Sequence, residues 1–385
     1  MKNFRPADRL GAIPEYIFSR LNRAAIEAEQ AAGRPVLSFG AGTPDVKPAP
    51  AYSRKLAELV QADDAHLYPG YGATDEFSEA LRNWYDQHFG VGLAADELLP
   101  LNGAKDGISH LPLALFNQDD EILVPDPGYP AFDAPAMLVG AKTITYDLLP
   151  ENDFKIDLDK LVQKISDRTR YIWINFPSNP TGQVSDVAEL KSIVDFARLH
   201  DLFILYDNAY SEITFDGPPA PSILQVEGAK DIAVEIGSFS KAFSFAGLRI
   251  GWIAGNKDII AALAKLKTQM DSGMALPLQG LAAFALNNPE PDWKESMIES
   301  YRGRRDIIAG HLESLGLAFE LPKGGLYIWA RIPDEAENAE AFCFDLLRDR
   351  QILLTPGSAF GKNGDRYVRV SYCVNIDKIE DYFKS

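Results

Sequence analysis

An α/β fold followed by a smaller α+β part is what the order of the 385 residues predicts, and three observations predict it. Short runs such as Tyr171-Ile-Trp-Ile-Asn175 and Leu202-Phe-Ile-Leu-Tyr-Asp207 are apolar on both faces, as parallel strands covered by helices must be. Between such runs lie stretches with helical spacing of apolar residues, the alternation that right-handed crossover sheets are built from. After about residue 316 the rhythm changes to short strands around one helix. The length suits one large domain and a smaller one.

Taken in order, Ile17, Leu21, Ala24 and Ala28 recur at helical spacing between Glu15 and Ala32, and Gly33-Arg34-Pro35 stops that helix. A short strand, Val36 to Phe39, runs into Gly40-Ala-Gly42-Thr-Pro-Asp45. This turn lacks the third glycine of a dinucleotide loop, and Gly357 to Lys362 is one residue short of a P-loop, so neither reads as a nucleotide site. The turn His66 to Gly72 precedes an amphipathic helix, Thr74 to Phe89. Leu98 to Leu101 then leads into Asn102-Gly-Ala104-Lys105-Asp-Gly107 and a helix through Ile108, Leu111 and Leu115. Small residues at that helix start expose backbone N–H groups to an anion, and Lys105 adds a charge.

Strands are expected at Glu121 to Pro125, Thr143 to Tyr146, Arg170 to Asn175, Leu202 to Asp207, Val234 to Ser238 and Ile250 to Ala254. The helix Asp186 to His200, opened by Ser185, buries Val187, Leu190, Val194 and Ala197. From Ile259 to about Gly316 the pattern is helical, with a break near Gly273 to Pro277. Leu317 to Leu321, Leu326 to Ile332, a helix Ala339 to Arg350, Ile352 to Thr355 and Tyr367 to Tyr372 make up the α+β part.

A net charge of −17 argues against nucleic acid or an anionic membrane as partner, since both are polyanions. Cys343 and Cys373 cannot form a disulfide framework and have no metal-site spacing, which fits a reducing, cytoplasmic setting. No run of 18 apolar residues and no signal-like N-terminus is present, so a soluble cytoplasmic protein is expected.

The chemistry gathers around Lys241, in Ser238-Phe-Ser240-Lys241-Ala-Phe-Ser244-Phe-Ala-Gly-Leu-Arg249. Alone it would read as a surface lysine after a strand, but its neighbours are small and apolar. A lysine desolvated in this way is available as a neutral amine, a nucleophile towards aldehydes. With Arg249 and the serine hydroxyls as anion ligands, the set suggests pyridoxal phosphate. Ligands of α/β sheets collect at the carboxyl ends of strands, where Asp207 and Asn179 also fall. Asp207 suits a partner for a protonated pyridine nitrogen, Asn179 and Tyr210 suit the ring oxygen, and Tyr129 suits the ring face.

The stretch resembles the lysine motif of class I/II aminotransferases, Ser-x-Ser-Lys-x-x-x-x-x-Gly-x-Arg-x-Gly, and every fixed position is filled. The resemblance continues in order through Gly103-Ala104-Lys105, Tyr129, Asn179-Pro-Thr-Gly182, Asp207-x-x-Tyr210 and Arg369 in Tyr367-Val-Arg-Val-Ser371. It implies the fold of fold type I enzymes: a mostly parallel seven-stranded sheet in a large domain, 46–285, a small domain, 286–385, and an N-terminal arm, 1–45, that joins the small one. It also implies a homodimer, in which Tyr68 reaches the cofactor phosphate of the neighbouring subunit, and a carboxylate-binding role for Arg369. Ala73 and Ser78 depart from residues that many relatives carry, glycine and arginine.

The implied reaction is amino-group exchange between an amino acid and a 2-oxo acid. A carbon–sulfur β-lyase shares the cofactor residues and is the alternative, while a DNA-binding regulator has no room in the roughly forty residues before Gly40. Arg9 to Phe18, Gly40-x-Gly42 and Asn102 to Gly107 look like the subgroup of LL-diaminopimelate and alanine-type aminotransferases, in which Tyr16 and Gly42 line the substrate pocket. Glutamate with 2-oxoglutarate is the expected second pair. No arginine or lysine is singled out for a second substrate carboxylate.

Overall fold

The computed structural model describes residues 4–13 and 15–384. Helix α1 (Ile17–Ala32) ends on Gly33, whose φ of 66° is a left-handed cap that glycine adopts without strain. Next come β1 (Leu37–Ser38), α2 (Pro50–Leu59), α3 (Asp75–Phe89), β2 (Leu98–Leu101), α4 (Ala104–Leu115) and β3 (Glu121–Asp126). They are followed by α5 (Asp133–Leu138), β4 (Lys142–Asp147), α6 (Leu158–Leu161), β5 (Thr169–Asn175), α7 (Val187–Leu199) and β6 (Phe203–Asp207). Strand β7 (Ala233–Ser238) leads through the single turn α8 (Phe239–Ala242) to β8 (Gly251–Gly255), and α9 (Lys257–Lys267), α10 (Leu276–Asn287) and α11 (Pro291–Ser314) complete the helical stretch. The last part holds β9 (Ala318–Phe319), β10 (Tyr327–Arg331), α12 (Ala339–Arg350), β11 (Ile352–Leu353), β12 (Thr355–Pro356), β13 (Tyr367–Ser371) and α13 (Ile376–Lys384).

Seven strands form the main sheet in the order β2-β8-β7-β6-β5-β3-β4. Its strands run parallel except β8, which is antiparallel to both neighbours. A crossover helix before Ile250 to Ala254 was the expectation, and the structure corrects it: α8 is a four-residue turn. Burial on both faces demands apolar residues of a strand whichever way it points, so the run carries no signal of direction.

One face of the sheet is covered by a core that includes Phe77 and Leu81 of α3, Leu190 and Val194 of α7 and Leu281 of α10. The other is covered by Ile108 and Leu111 of α4 and Ile259 and Leu263 of α9. A separate core gathers Leu37, Met297, Ile308, Ile328, Val368 and Val370 around the sheet β12-β13-β10-β9. Strand β1 pairs in parallel with β11, which ties the N-terminal part to this second core.

Most element ends lie within a residue or two of the sequence pattern, and two differences change a cap or a pairing. Helix α7 is capped by Asp186, whose carboxylate accepts from the Glu189 N–H at 2.8 Å, and not by Ser185. The expected strand Ile352 to Thr355 divides into β11 and β12, which pair with different sheets. Among the described residues no helix is long and apolar enough to cross a membrane.

Candidate active site

Asp126, Asn175, Asp207 and Ser238 all stand at the carboxyl ends of neighbouring strands. The start of α4 follows β2 at the same edge, because β2 and β7 are both antiparallel to β8. A cavity of 530 Å³ opens there between the two cores. It is lined by Tyr16, Gly42, Ala104, Lys105, Tyr129, Asn179, Asp207, Tyr210, Ser238, Ser240, Lys241, Arg249 and Arg369. Of the residues singled out in the sequence Tyr68 and Ser244 are elsewhere: Tyr68 is in the loop before α3 and 87% exposed, and the Ser244 hydroxyl turns to Met297 Sδ at 3.7 Å.

Lys241 sits on the one-turn helix α8, which Ser238 caps by accepting from the Ser240 N–H at 3.1 Å. The amine of Lys241 donates to the Gly42 carbonyl oxygen at 2.7 Å and lies 5.5 Å from the centre of the Tyr210 ring. Arg249 is held in the left-handed region, with φ 58°, a strained setting for a side chain of this size. Its guanidinium fills the space over Gly103, where a Cβ would come within 2.3 Å of Nη2. Gly103 also has φ 84°, so two independent constraints require glycine there. Arg249, the α4 start, Ser238 and Ser240 thus form one anion cradle of cation, N–H groups and hydroxyls.

Asp207 is buried, and burial raises its carboxyl to about 6, against a hydrogen bond from the Ala209 N–H and the nearby charge of Lys241. A cation placed against it would relieve that desolvation. The raised value means that protonation favours the folded chain fully below pH 4, and that this gain is lost as pH rises through 6. Asp207→Asn is therefore expected to stabilise the cofactor-free chain at pH 8 by up to about 3 kcal/mol, with the difference vanishing near pH 4. Urea unfolding at the two pH values checks this, and equal midpoints at pH 8 would show that the carboxylate is not strained.

Asn175, which the sequence analysis did not single out, orients two of these groups. Its amide donates to the Asp207 carbonyl at 2.8 Å and its oxygen accepts from the Asn179 N–H at 2.8 Å. Its only sequence signal is its place at the end of an apolar strand. Tyr327 was missed too. Its hydroxyl bonds that of Tyr210 at 3.0 Å, and a Cβ on Gly42 would meet it at 1.9 Å, which explains the glycine. A tyrosine opening the strand paired with that of Arg369 was the available signal.

Arg369 is 2% exposed. Its Nη1 donates to the Asn179 side-chain oxygen at 2.9 Å and its Nη2 to the Gly40 carbonyl at 2.7 Å, while Nε has no partner. Its guanidinium carbon lies 4.1 Å from the ring centre of Tyr327, 4.7 Å from that of Phe360 and 5.1 Å from that of Phe18. No carboxylate among the described residues pairs with it. A buried guanidinium with neutral acceptors, aromatic walls and an N–H without a partner among the described residues can receive a carboxylate.

Lys105 is exposed at the cavity mouth, with its amine 5.1 Å from the ring centre of Tyr16. The Tyr129 hydroxyl faces that of Tyr16. Burial pushes the phenols of Tyr16, Tyr129 and Tyr210 upward, so all three stay protonated and can donate.

A lysine at a strand end, a buried acid at the next strand, an anion cradle at a helix start and a caged arginine define a pyridoxal-phosphate-dependent enzyme acting on amino acids. The family of aminotransferases class I and II matches residues 34–384, and the chain belongs to it. It is 37% identical to the LL-diaminopimelate aminotransferase of Halothermothrix orenii over 376 residues, 97% of this chain and 96% of that protein. The structure is similar to apo-BacF from Bacillus subtilis, with a TM-score of 0.93 and 31% identity over 100% of this chain and 97% of that one. It is also similar to the aspartate aminotransferase from Rhizobium meliloti, with a TM-score of 0.92 and 26% identity over 99% and 98%. The protein is a transaminase of fold type I that uses pyridoxal phosphate and exchanges amino groups between amino and oxo acids.

Proposed function

We propose that this transaminase takes the amino group of LL-diaminopimelate and passes it to 2-oxoglutarate. The observation that carries the reading is the pair of cations in one cavity: Arg369, buried without a counter-ion, and Lys105, over the Tyr16 ring at the mouth. A substrate with two amino-acid ends offers a carboxylate to each, whereas alanine leaves Lys105 without a task. The names of the curated relatives at 35–37% identity support the same choice.

When bound, pyridoxal phosphate withdraws electrons from the Cα–H bond of the substrate. The chain's own residues divide the remaining work. Arg249, the hydroxyls of Ser238 and Ser240 and the N–H groups at Ala104 and Lys105 would hold the phosphate. Asp207 would keep the ring nitrogen protonated, while Tyr210 and the Asn179 amide would donate to the ring oxygen. Tyr129 would cover the ring. Lys241 would anchor the cofactor and, as a free amine, would carry the Cα proton on its Nζ. Tyr16, Gly42 and Asn179 line the substrate side with Arg369.

A panel of amino donors, followed by the cofactor's absorbance change without an acceptor, tests the substrate. LL-diaminopimelate is expected to react, and Tyr16→Phe or Lys105→Met is expected to raise its KM more than that of alanine, by about tenfold for the lysine. Reaction with aromatic amino acids alone would overturn the proposal.

The working unit we propose is a cytoplasmic homodimer, with a large domain at 46–285, a small one at 286–385 and the arm 1–45 joining the latter. Tyr68, too exposed to serve its own cavity, is free to serve a partner's. Tyr68→Phe and Lys241→Ala subunits, each impaired alone, should regain activity when mixed. No recovery with subunit exchange confirmed would count against a shared site.

A further inference from the structure

A second lysine is buried behind the anion cradle. Lys267 closes α9 and is 2% exposed, and its amine lies 2.6 Å from Asp106 Oδ2 and 2.5 Å from Asp271 Oδ2. Asp106 stands in the first turn of α4, two residues beyond Ala104. Its carboxylate also accepts from the Asn102 N–H at 2.8 Å and contacts His110 Nδ1 at 2.6 Å. A carboxylate in that turn suits the helix dipole but repels a phosphate bound at the same helix start. Asp271 in turn accepts from the Gly273 N–H at 2.9 Å. Gly273, with φ 90°, packs so closely on the loop carrying Tyr68 that a Cβ would come within 1.9 Å of the Gly70 carbonyl oxygen.

We propose that Lys267 is a positioning residue for the cofactor phosphate: it cancels the charge of Asp106 behind the cradle and, through Asp271, fixes the Tyr68 loop to the same point. Lys267 does not line the cavity, so it acts through Asp106 and touches neither cofactor nor substrate. The inference rests on the reading of the α4 start as the phosphate site.

Apoenzyme made from the full chain is titrated with pyridoxal phosphate and with pyridoxal, which lacks the phosphate. Lys267→Met is expected to weaken pyridoxal phosphate about tenfold and pyridoxal little, because the freed charge of Asp106 acts only on the phosphate. Asp106→Asn/Lys267→Met is expected to recover most of that loss, which a mere packing defect would not allow. Equal weakening of both ligands, or a double variant no better than Lys267→Met, overturns the proposal. Should Lys267→Met fail to fold, Asp106→Asn alone decides: Lys267 keeps Asp271, and pyridoxal phosphate is expected to bind at least as tightly as to the parent. A weakening beyond about threefold overturns it. A parent that binds both ligands alike overturns the phosphate reading and this inference with it, while a parent preference that is undiminished in Lys267→Met overturns this inference alone.

Discussion

Lys241→Ala is expected to abolish the yellow colour of the purified enzyme and to lower turnover by at least about 10⁴-fold, because one amine both anchors the cofactor and moves the proton. Among the described residues two lysines line the cavity, and they differ in setting. Lys241 is held between the Gly42 carbonyl and the Tyr210 ring at a strand end, whereas Lys105 projects from a helix start into solvent. Lys105→Met should therefore keep the colour. Borohydride reduction followed by peptide mapping separates the two. Label on Lys241 is the predicted result, and label on Lys105 would overturn the assignment.

Arg369→Lys is expected to lower kcat/KM for every amino donor by about 10²- to 10³-fold, the scale of losing one buried charged partner. Lysine keeps the charge but not the fork, and Asn179 and Gly40 accept from two different nitrogens of the guanidinium. The aromatic walls of Tyr327, Phe360 and Phe18 also fit a flat guanidinium better than an ammonium. The stability of the cofactor-free chain should change little, since no anion among the described residues pairs with this site and a buried lysine, unlike arginine, can shed its charge. Steady-state kinetics and urea unfolding read the two effects. A variant with parental kcat/KM, or one that is strongly destabilised, would make Arg369 a structural residue.

The residues that gather in the cavity were legible in the sequence wherever the expected chemistry demands a particular side chain. Lys241, Asp207, Asn179, Arg249 and Arg369 line the cavity, and the strands that present the first three were placed by their doubly apolar runs. What could not be read is what depends on direction and pairing. Strand β8 looks like its parallel neighbours because burial, not orientation, sets its composition. Ile352 to Thr355 splits between two sheets because each half pairs with a partner far away in the chain. Asn175, Tyr327 and Lys267 were missed for a related reason: one partner of each lies 32, 117 and 161 residues away, and no local spacing records that. Lys105 was assigned to the phosphate by charge alone, and its turn towards Tyr16 emerged only from the packing.

In the proposed reaction LL-diaminopimelate gives its amino group to 2-oxoglutarate in this cavity. The most direct measurement incubates the holoenzyme with both compounds and counts products. One glutamate formed for each LL-diaminopimelate consumed, with no turnover when 2-oxoglutarate is omitted, is the predicted result. Glutamate absent while alanine or an aromatic amino acid donates freely, or pyruvate released from a sulfur amino acid without any acceptor, would contradict it.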